Sequence, residues 1–300
     1  MLRLLLLSLL LLGVSESHAQ LWRFYRHEFS FGLGIANCFT DVGGGSGDGG
    51  YVKDLNLAAT RPAVQIGYRY RISPKISFKS SLSYIQISGS DEFSRNEGRK
   101  NRNLNFRTNI YELGLQFEYY FKQEPLGKLN TLGAKRRGHK GPEMGFYGLA
   151  GIAPFLYNPL GEAENGNWYR LRPLHTEGQG LEGGPSEYGS FGVAFKIGAG
   201  AKWIINRQLN IGFEASVNYT NTDYLDDVSD TYYDFSQTSE DISALTTQMA
   251  DKRLSGARGI PGGIRGNPDN NDVYFNFFVT LNYKLAADQK IVLFSIKRKR

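Results

Sequence analysis

The sequence predicts an all-β protein, an eight-stranded antiparallel up-and-down transmembrane β-barrel with long extracellular loops. Three observations carry this expectation. Apolar and polar residues alternate with period two through eight segments. The apolar faces of the strongest segments run five to seven positions, enough for a lipid-facing band about 25 Å tall. Long and short connections alternate along most of the chain, as an up-and-down barrel requires.

Composition points the same way. The 300 residues include 36 Gly, 18 Tyr and 19 Phe but 10 Pro and 3 Met, a balance that favours strands joined by polar loops. A mean hydropathy of −0.38 excludes a polytopic helical membrane protein, which needs several apolar runs of about 20 residues. It does not exclude a barrel, whose strands give only one face to lipid. So many aromatic residues also exclude disorder throughout.

Residues 1–19 read as a secretory signal peptide. Arg3 supplies the basic start, Leu4 to Leu12 is apolar except for Ser8, and Ser17-His18-Ala19 ends in small residues ahead of Gln20. The single cysteine, Cys38, excludes an internal disulfide and lies too far downstream for a lipidated N-terminus. Residues 20–285 are assigned to the barrel and 286–300 to a basic periplasmic tail. A formal charge of +6 is too modest to imply nucleic acid as a partner.

The segments follow in order. Residues 28–36 align Phe29, Phe31, Leu33 and Ile35 against Ser30, Gly32 and Gly34. Residues 63–72 align Val64, Ile66, Tyr68, Tyr70 and Ile72. Residues 75–87 begin with Ile76, Phe78, Leu82 and Tyr84 and then lose the alternation. Residues 109–121 present Tyr111, Leu113, Leu115, Phe117, Tyr119 and Phe121. Residues 145–156 are strand-like with no clear face, and Pro154 suggests a strand end or bulge. Residues 191–203, 209–219 and 273–285 alternate throughout. Aromatic residues such as Tyr119, Phe121, Trp203, Tyr219 and Tyr283 sit at the ends of the apolar faces, as in interfacial girdles.

A soluble sandwich or lipocalin-like barrel would alternate too, but would fill its interior with apolar groups. Here the opposite face carries Gly and charges of both signs: Arg69, Arg71, Lys79, Lys196, Lys202 and Lys284 against Glu112, Glu118 and Glu214. Eight strands enclose just enough room for side chains, so the expectation is a salt-bridged polar plug rather than a pore.

No hydrolase, zinc or phosphate-loop motif occurs, and 43–50 (GGGSGDGG) lacks the Lys-Ser/Thr of a phosphate cradle. An outer-loop Asp–His dyad drawn from Asp223, Asp226, Asp227 and His175 is available, but nothing in the spacing selects it. The expectation is no enzyme, no cofactor and no bound metal. The acidic run from Thr222 to Asp234 lacks a calcium-loop pattern and reads as a solvated acidic loop, although its interleaved tyrosines suggest packing.

Three stretches, HEFSFGLGIANCFTDVGG, TDYLDDVSDTYYD and RGNPDNNDVYFNFFVTLNYKL, resemble the PorG-like outer-membrane barrels of Bacteroidota-type bacteria. The most specific parts are the loop bearing Asp223, Tyr224, Asp226, Asp227 and Tyr232, and the close bearing Arg265, Gly266, Asn271, Asp272 and Tyr274. The resemblance implies an accessory or scaffold barrel of type IX-like secretion, set in the outer-membrane bilayer and touching periplasmic secretion-ring proteins. A structural or surface-binding barrel with no secretion role is the alternative. One connection, 122–144, is long where a short periplasmic turn is expected. Its Lys135, Arg136, Arg137 and Lys140, with the basic tail at 297–300, are candidates for docking an acidic partner or anionic lipid.

Overall fold

The computed structural model describes residues 21–43, 57–123, 144–206, 208–238, 242–256 and 259–286. The signal segment, the basic cluster at Lys135, Arg136, Arg137 and Lys140, and the C-terminal tail lie outside these residues.

Eight long strands close on themselves: β1 (His27–Phe39), β2 (Arg61–Arg71), β3 (Ile76–Ser90), β4 (Asn105–Lys122), β5 (Met144–Glu162), β7 (Phe191–Ile204), β8 (Leu209–Thr220) and β9 (Val273–Leu285). Every strand pairs antiparallel with its neighbour in sequence, and β1 pairs with β9 from His27↔Leu285 to Phe39↔Val273, which closes the barrel. A short β6 (Trp168–Arg170) pairs only with the end of β5 and extends the wall beyond the barrel mouth. Closure leaves no unpaired edge among the eight long strands, so the backbone can meet lipid.

Alternation decides which face is which. Along β4 the burial pattern flips at nearly every residue, with Tyr111, Leu113, Phe117, Tyr119 and Phe121 exposed and Glu112, Gln116 and Glu118 buried. From Tyr111 to Phe121 the chain advances ten steps of about 3.4 Å, or ~25 Å along the barrel axis at a tilt of ~40°. One end of the belt is marked by Phe121, Trp203 and Tyr283, and the other by Tyr84, Tyr111, Phe191 and Tyr219, all outward-facing. A tight turn at 72–75 lies at the first end, and there too the Ile205 and Asn206 N–H groups both donate to the Leu209 carbonyl. All the described long loops leave from the second.

Two segments depart from their predicted reading. The pattern in β3 does not slip after Tyr84: Ile85 and Ile87 remain on the inward face and are fully buried. The lumen itself changes there, from polar to apolar, so an inward isoleucine obeys the same period as an inward lysine. Pro154 is not at a strand end; β5 runs through it, and its register with β7 continues through Pro154↔Val193. The β4 ladder instead skips Leu113 and Gly114, between Glu112↔Phe155 and Leu115↔Ile152. Proline lacks the N–H that a full ladder needs.

Candidate functional site

The lumen has two storeys. The storey at the short-turn end is ionic. Arg69 bonds Glu28 and also grips Glu118 through Nε at 2.7 Å and Nη2 at 2.9 Å. Lys202 reaches Glu28 at 2.7 Å, Lys79 lies 2.9 Å from Glu214, and Lys196 bonds Glu112. Tyrosine hydroxyls complete the network: Tyr147 donates to Glu214 at 2.9 Å, Tyr120 to Glu118 at 3.1 Å and Tyr274 to Glu112 at 2.6 Å. The Arg71 guanidinium lies 5.0 Å from the centre of the Tyr120 ring. All nine charged residues expected in the lumen are buried. The sequence reading omits Glu28, the first lumen-facing residue of β1 and the shared partner of Arg69 and Lys202.

Such a network satisfies each charge where water is scarce, because an unpaired ion there costs several kcal/mol. It also occupies the lumen with side chains that are tied to walls on opposite sides.

The storey at the long-loop end is apolar. Ile85, Ile87, Phe106, Ile110, Ala153, Phe155 and Phe278 form a buried cluster, and Leu225 and Val228 insert into it from the loop between β8 and β9. The Thr108 hydroxyl donates to the Leu225 carbonyl and pins this cork to β4. The segment expected to be a solvated acidic loop is therefore folded into the mouth: Asp223 is 6% exposed, Asp226 1% and Asp227 0%. Burial follows because each of the latter two carboxylates has a local task. Asp226 accepts from the Val42 and Val228 backbone N–H groups, at 2.8 and 3.0 Å. Asp227, at φ +65°, accepts from the Thr176 and Tyr188 hydroxyls rather than from His175.

Further acids fasten the remaining loops. Asp272 accepts from Leu225 N at 2.8 Å, and Asp91 from Gly43 N at 3.0 Å and from Arg102. Glu177 accepts from Ser229 N and Asp230 N and pairs with Arg265 at 2.8 Å. Arg265 also donates to the Asp227 carbonyl at 2.9 Å. Gly266 is a close approach: a Cβ there would stand 2.8 Å from the Ser229 backbone. Tyr188 stacks on Tyr224 with ring centres 4.4 Å apart and planes 8° from parallel.

The two motifs, some forty residues apart, thus meet in one cap. It brings together Asp223, Tyr224, Asp226, Asp227, Tyr232, Arg265, Gly266 and Asp272; Tyr274 points down into the ionic storey, and Asn271 stays exposed. Asp91, Glu177 and Arg102 belong to the same cap and were not named from sequence. Their signal is weak, since a carboxylate that accepts from backbone N–H groups in a distant loop has no fixed spacing from its partners.

Crowding of acids beneath the cap shifts their protonation. Burial, with Asp226 and Asp41 nearby, pushes Asp223 up to about 8. Burial raises Asp226 and Asp227 to about 7, helped for Asp226 by Asp41 and opposed for Asp227 by Arg265. Asp272 is driven well above the usual carboxylate range by burial and by Asp226. Among the described residues, no group of three or more His, Cys, Asp or Glu side chains is arranged to hold a metal.

Fold and site together define a closed eight-stranded barrel of the outer-membrane type, with an ionic lumen and a folded lid of loops. A family model described as "Domain of unknown function (DUF6089)" matches residues 2–134. No curated protein matches the sequence. Among solved structures, the chain is similar to Neisserial surface protein A at 8% identity, covering 86% of this chain and 97% of that one, with a TM-score of 0.37. It is similar to the outer membrane protein OprG from Pseudomonas aeruginosa at 11% identity, with coverages of 88% and 98% and a TM-score of 0.36. It is also similar to Ail, the attachment invasion locus protein of Yersinia pestis, at 10% identity, with coverages of 87% and 99% and a TM-score of 0.35.

Proposed function

We propose that this chain is a non-enzymatic outer-membrane barrel, exported by a leader at residues 1–19, that serves as an accessory scaffold in type IX-like protein secretion. The observation that carries the scaffold reading is the doubly closed lumen. Ion pairs between opposite walls fill one storey and the Leu225–Val228 cork fills the other, so the body offers surfaces rather than a solute path. Membrane placement is supported by the ~25 Å belt of exposed apolar side chains with aromatic residues at both ends.

The secretion role draws on the resemblance of the cap motifs to PorG-like barrels. It draws also on the basic 122–144 connection, which the proposal takes as periplasmic because an even number of strands alternates long and short connections. Lys135, Arg136, Arg137 and Lys140 there would meet periplasmic ring proteins. The second reading, a surface-binding barrel with no secretion role, is supported by the rigid cap, which presents a shaped face to the exterior.

Two experiments test the proposal. In planar bilayers the purified barrel should show no steady single-channel conductance; a stable open channel contradicts the sealed scaffold. A deletion strain should lose cargo proteins from its secretome, and a strain lacking only 128–140 should lose co-purification of periplasmic partners. Normal export and unchanged partners would reject the secretion role and leave the surface-binding barrel.

A further inference from the structure

Beyond the belt at the long-loop end, the wall made by β3 to β6 carries two arginines on its outer face that the fold does not consume. Arg107 on β4 pairs with Leu160 on β5, and Leu160 pairs with Arg170 on β6, so all three share one outward row. The Arg107 guanidinium lies 4.2 Å from the centre of the Trp168 ring, which reaches it across β5. Such a stack orients the group without neutralising it. Among the described residues Arg107 makes no ion pair, and its Nε is buried with no hydrogen-bond partner. Arg170 is exposed and has no ion pair there either. Glu162, one outward position beyond Leu160, forms an ion pair with neither arginine. Two strand spacings, about 10 Å, separate the two arginines, so one headgroup can meet both.

The rows beneath them change in a definite order. Asn109 and Asn158 face each other in the next outward row toward the belt. Asn109 Oδ1 accepts from the Tyr84 hydroxyl at 2.9 Å and the Gln86 amide at 3.0 Å, which leaves the Asn109 N–H groups to donate. Below this amide row lies a groove of about 690 Å³, walled by Tyr84, Tyr111, Leu113, Pro154, Leu156 and Phe191. Cation, amide and apolar groove therefore follow one another in the sequence that a membrane lipid presents phosphate, polar linkage and acyl chain.

Height selects the kind of lipid. Arg107 stands four residues past Tyr111, or ~10 Å along the barrel axis beyond the end of the belt. A headgroup layer is about 5–8 Å deep. The arginines thus serve its outer part, where a glycolipid carries phosphate on its sugars, rather than the depth of a glycerol-linked phosphate.

We propose that this wall binds a phosphorylated glycolipid of the leaflet around the long loops. Arg107 and Arg170 hold the sugar phosphate, Asn109 and Asn158 address hydroxyl and carbonyl groups, and an acyl chain lies in the groove. The inference rests on the outer-membrane placement with the long loops outward, and takes nothing from the secretion role.

The test is native mass spectrometry of the full mature barrel in detergent, offered lipid A, chemically dephosphorylated lipid A and phosphatidylglycerol. Wild type should retain lipid A roughly tenfold more strongly than either of the others. The double variant R107Q/R170Q should lose that preference. Leu113→Trp fills the groove and should weaken both forms of lipid A by a similar factor, with the phosphate preference kept. The proposal is overturned if dephosphorylated lipid A or phosphatidylglycerol is retained as well as lipid A, or if R107Q/R170Q binds as wild type does. Heat-dependent gel mobility of each preparation reports whether the barrel is folded, which separates loss of this site from failure of the barrel reading.

Discussion

Lys79 on β3 and Glu214 on β8 stand 135 residues apart in sequence and face each other across the lumen, with the lysine Nζ 2.9 Å from both carboxylate oxygens. Neither strand neighbours the other in the sheet, so this pair ties opposite walls rather than adjacent ones. Lys79→Met should leave the buried carboxylate only the more distant Arg69, 3.9 Å away, as an ion-pair partner and destabilise the barrel by about 3–5 kcal/mol. The double variant K79M/E214L, which removes both charges, should recover part of the loss. Urea unfolding in lipid vesicles reads the difference, and a double variant as unstable as the sum of its singles would deny the coupling.

How much of this was legible in the sequence depends on the distance over which each residue acts. Lys79 and Glu214 could be assigned to the lumen because strand alternation is local: each is inward because its neighbours are outward. Their pairing was not legible, since it depends on how strands curl to bring β3 opposite β8. Ile85 and Ile87 seemed to break the pattern because hydrophobicity stood in for orientation, and the two part company once the lumen turns apolar. Asp226 and Asp227 looked solvated for the same reason. Their burial depends on donors from Val42, Thr176 and Tyr188, which only the assembled cap brings within reach.

The cap should loosen as pH rises. Asp223 titrates near 8 and Asp226 and Asp227 near 7 in the folded protein, against an ordinary value of 3.8. The folded state therefore holds protons that the unfolded loop releases, so this contribution is fully present below about pH 4 and is lost as pH climbs through 7 to 8. Amide exchange across 221–238 should accelerate between pH 5 and pH 9 beyond the intrinsic chemical rate. Replacing Asp223 with Asn should flatten that dependence. Exchange protection that is constant or that increases over this range would contradict the assignment.

Gly200 makes room for a hydrogen bond on the facing strand. A Cβ at this position would lie 2.2 Å from Cζ of Tyr147, the residue opposite it on β5, whose hydroxyl holds Glu214. Gly200→Val should cost about 1–3 kcal/mol by overpacking and should displace the ring from Glu214. Pairing it with Tyr147→Phe tests the second half of that claim. With the hydroxyl already gone, the valine should cost less than it does in the wild type. Equal costs in both backgrounds would mean that Gly200 matters only for its own volume.

Ile66 sits midway along the outward face of β2, paired with Phe31 and Leu82, and is 54% exposed although it belongs to an apolar belt. In water such exposure would be unfavourable; in a bilayer it is the requirement for spanning. Ile66→Arg should therefore lower stability by about 2–4 kcal/mol in vesicles, where the guanidinium faces hydrocarbon near the midplane. The same change at Phe121, 73% exposed at the belt's end, should cost about 1 kcal/mol or less, because the charge reaches the interface there. The contrast between the two positions carries the inference, since a soluble barrel would tolerate arginine equally well at both. Unfolding of the two variants from vesicles of one thickness measures it directly, and equal losses would remove the belt from the membrane.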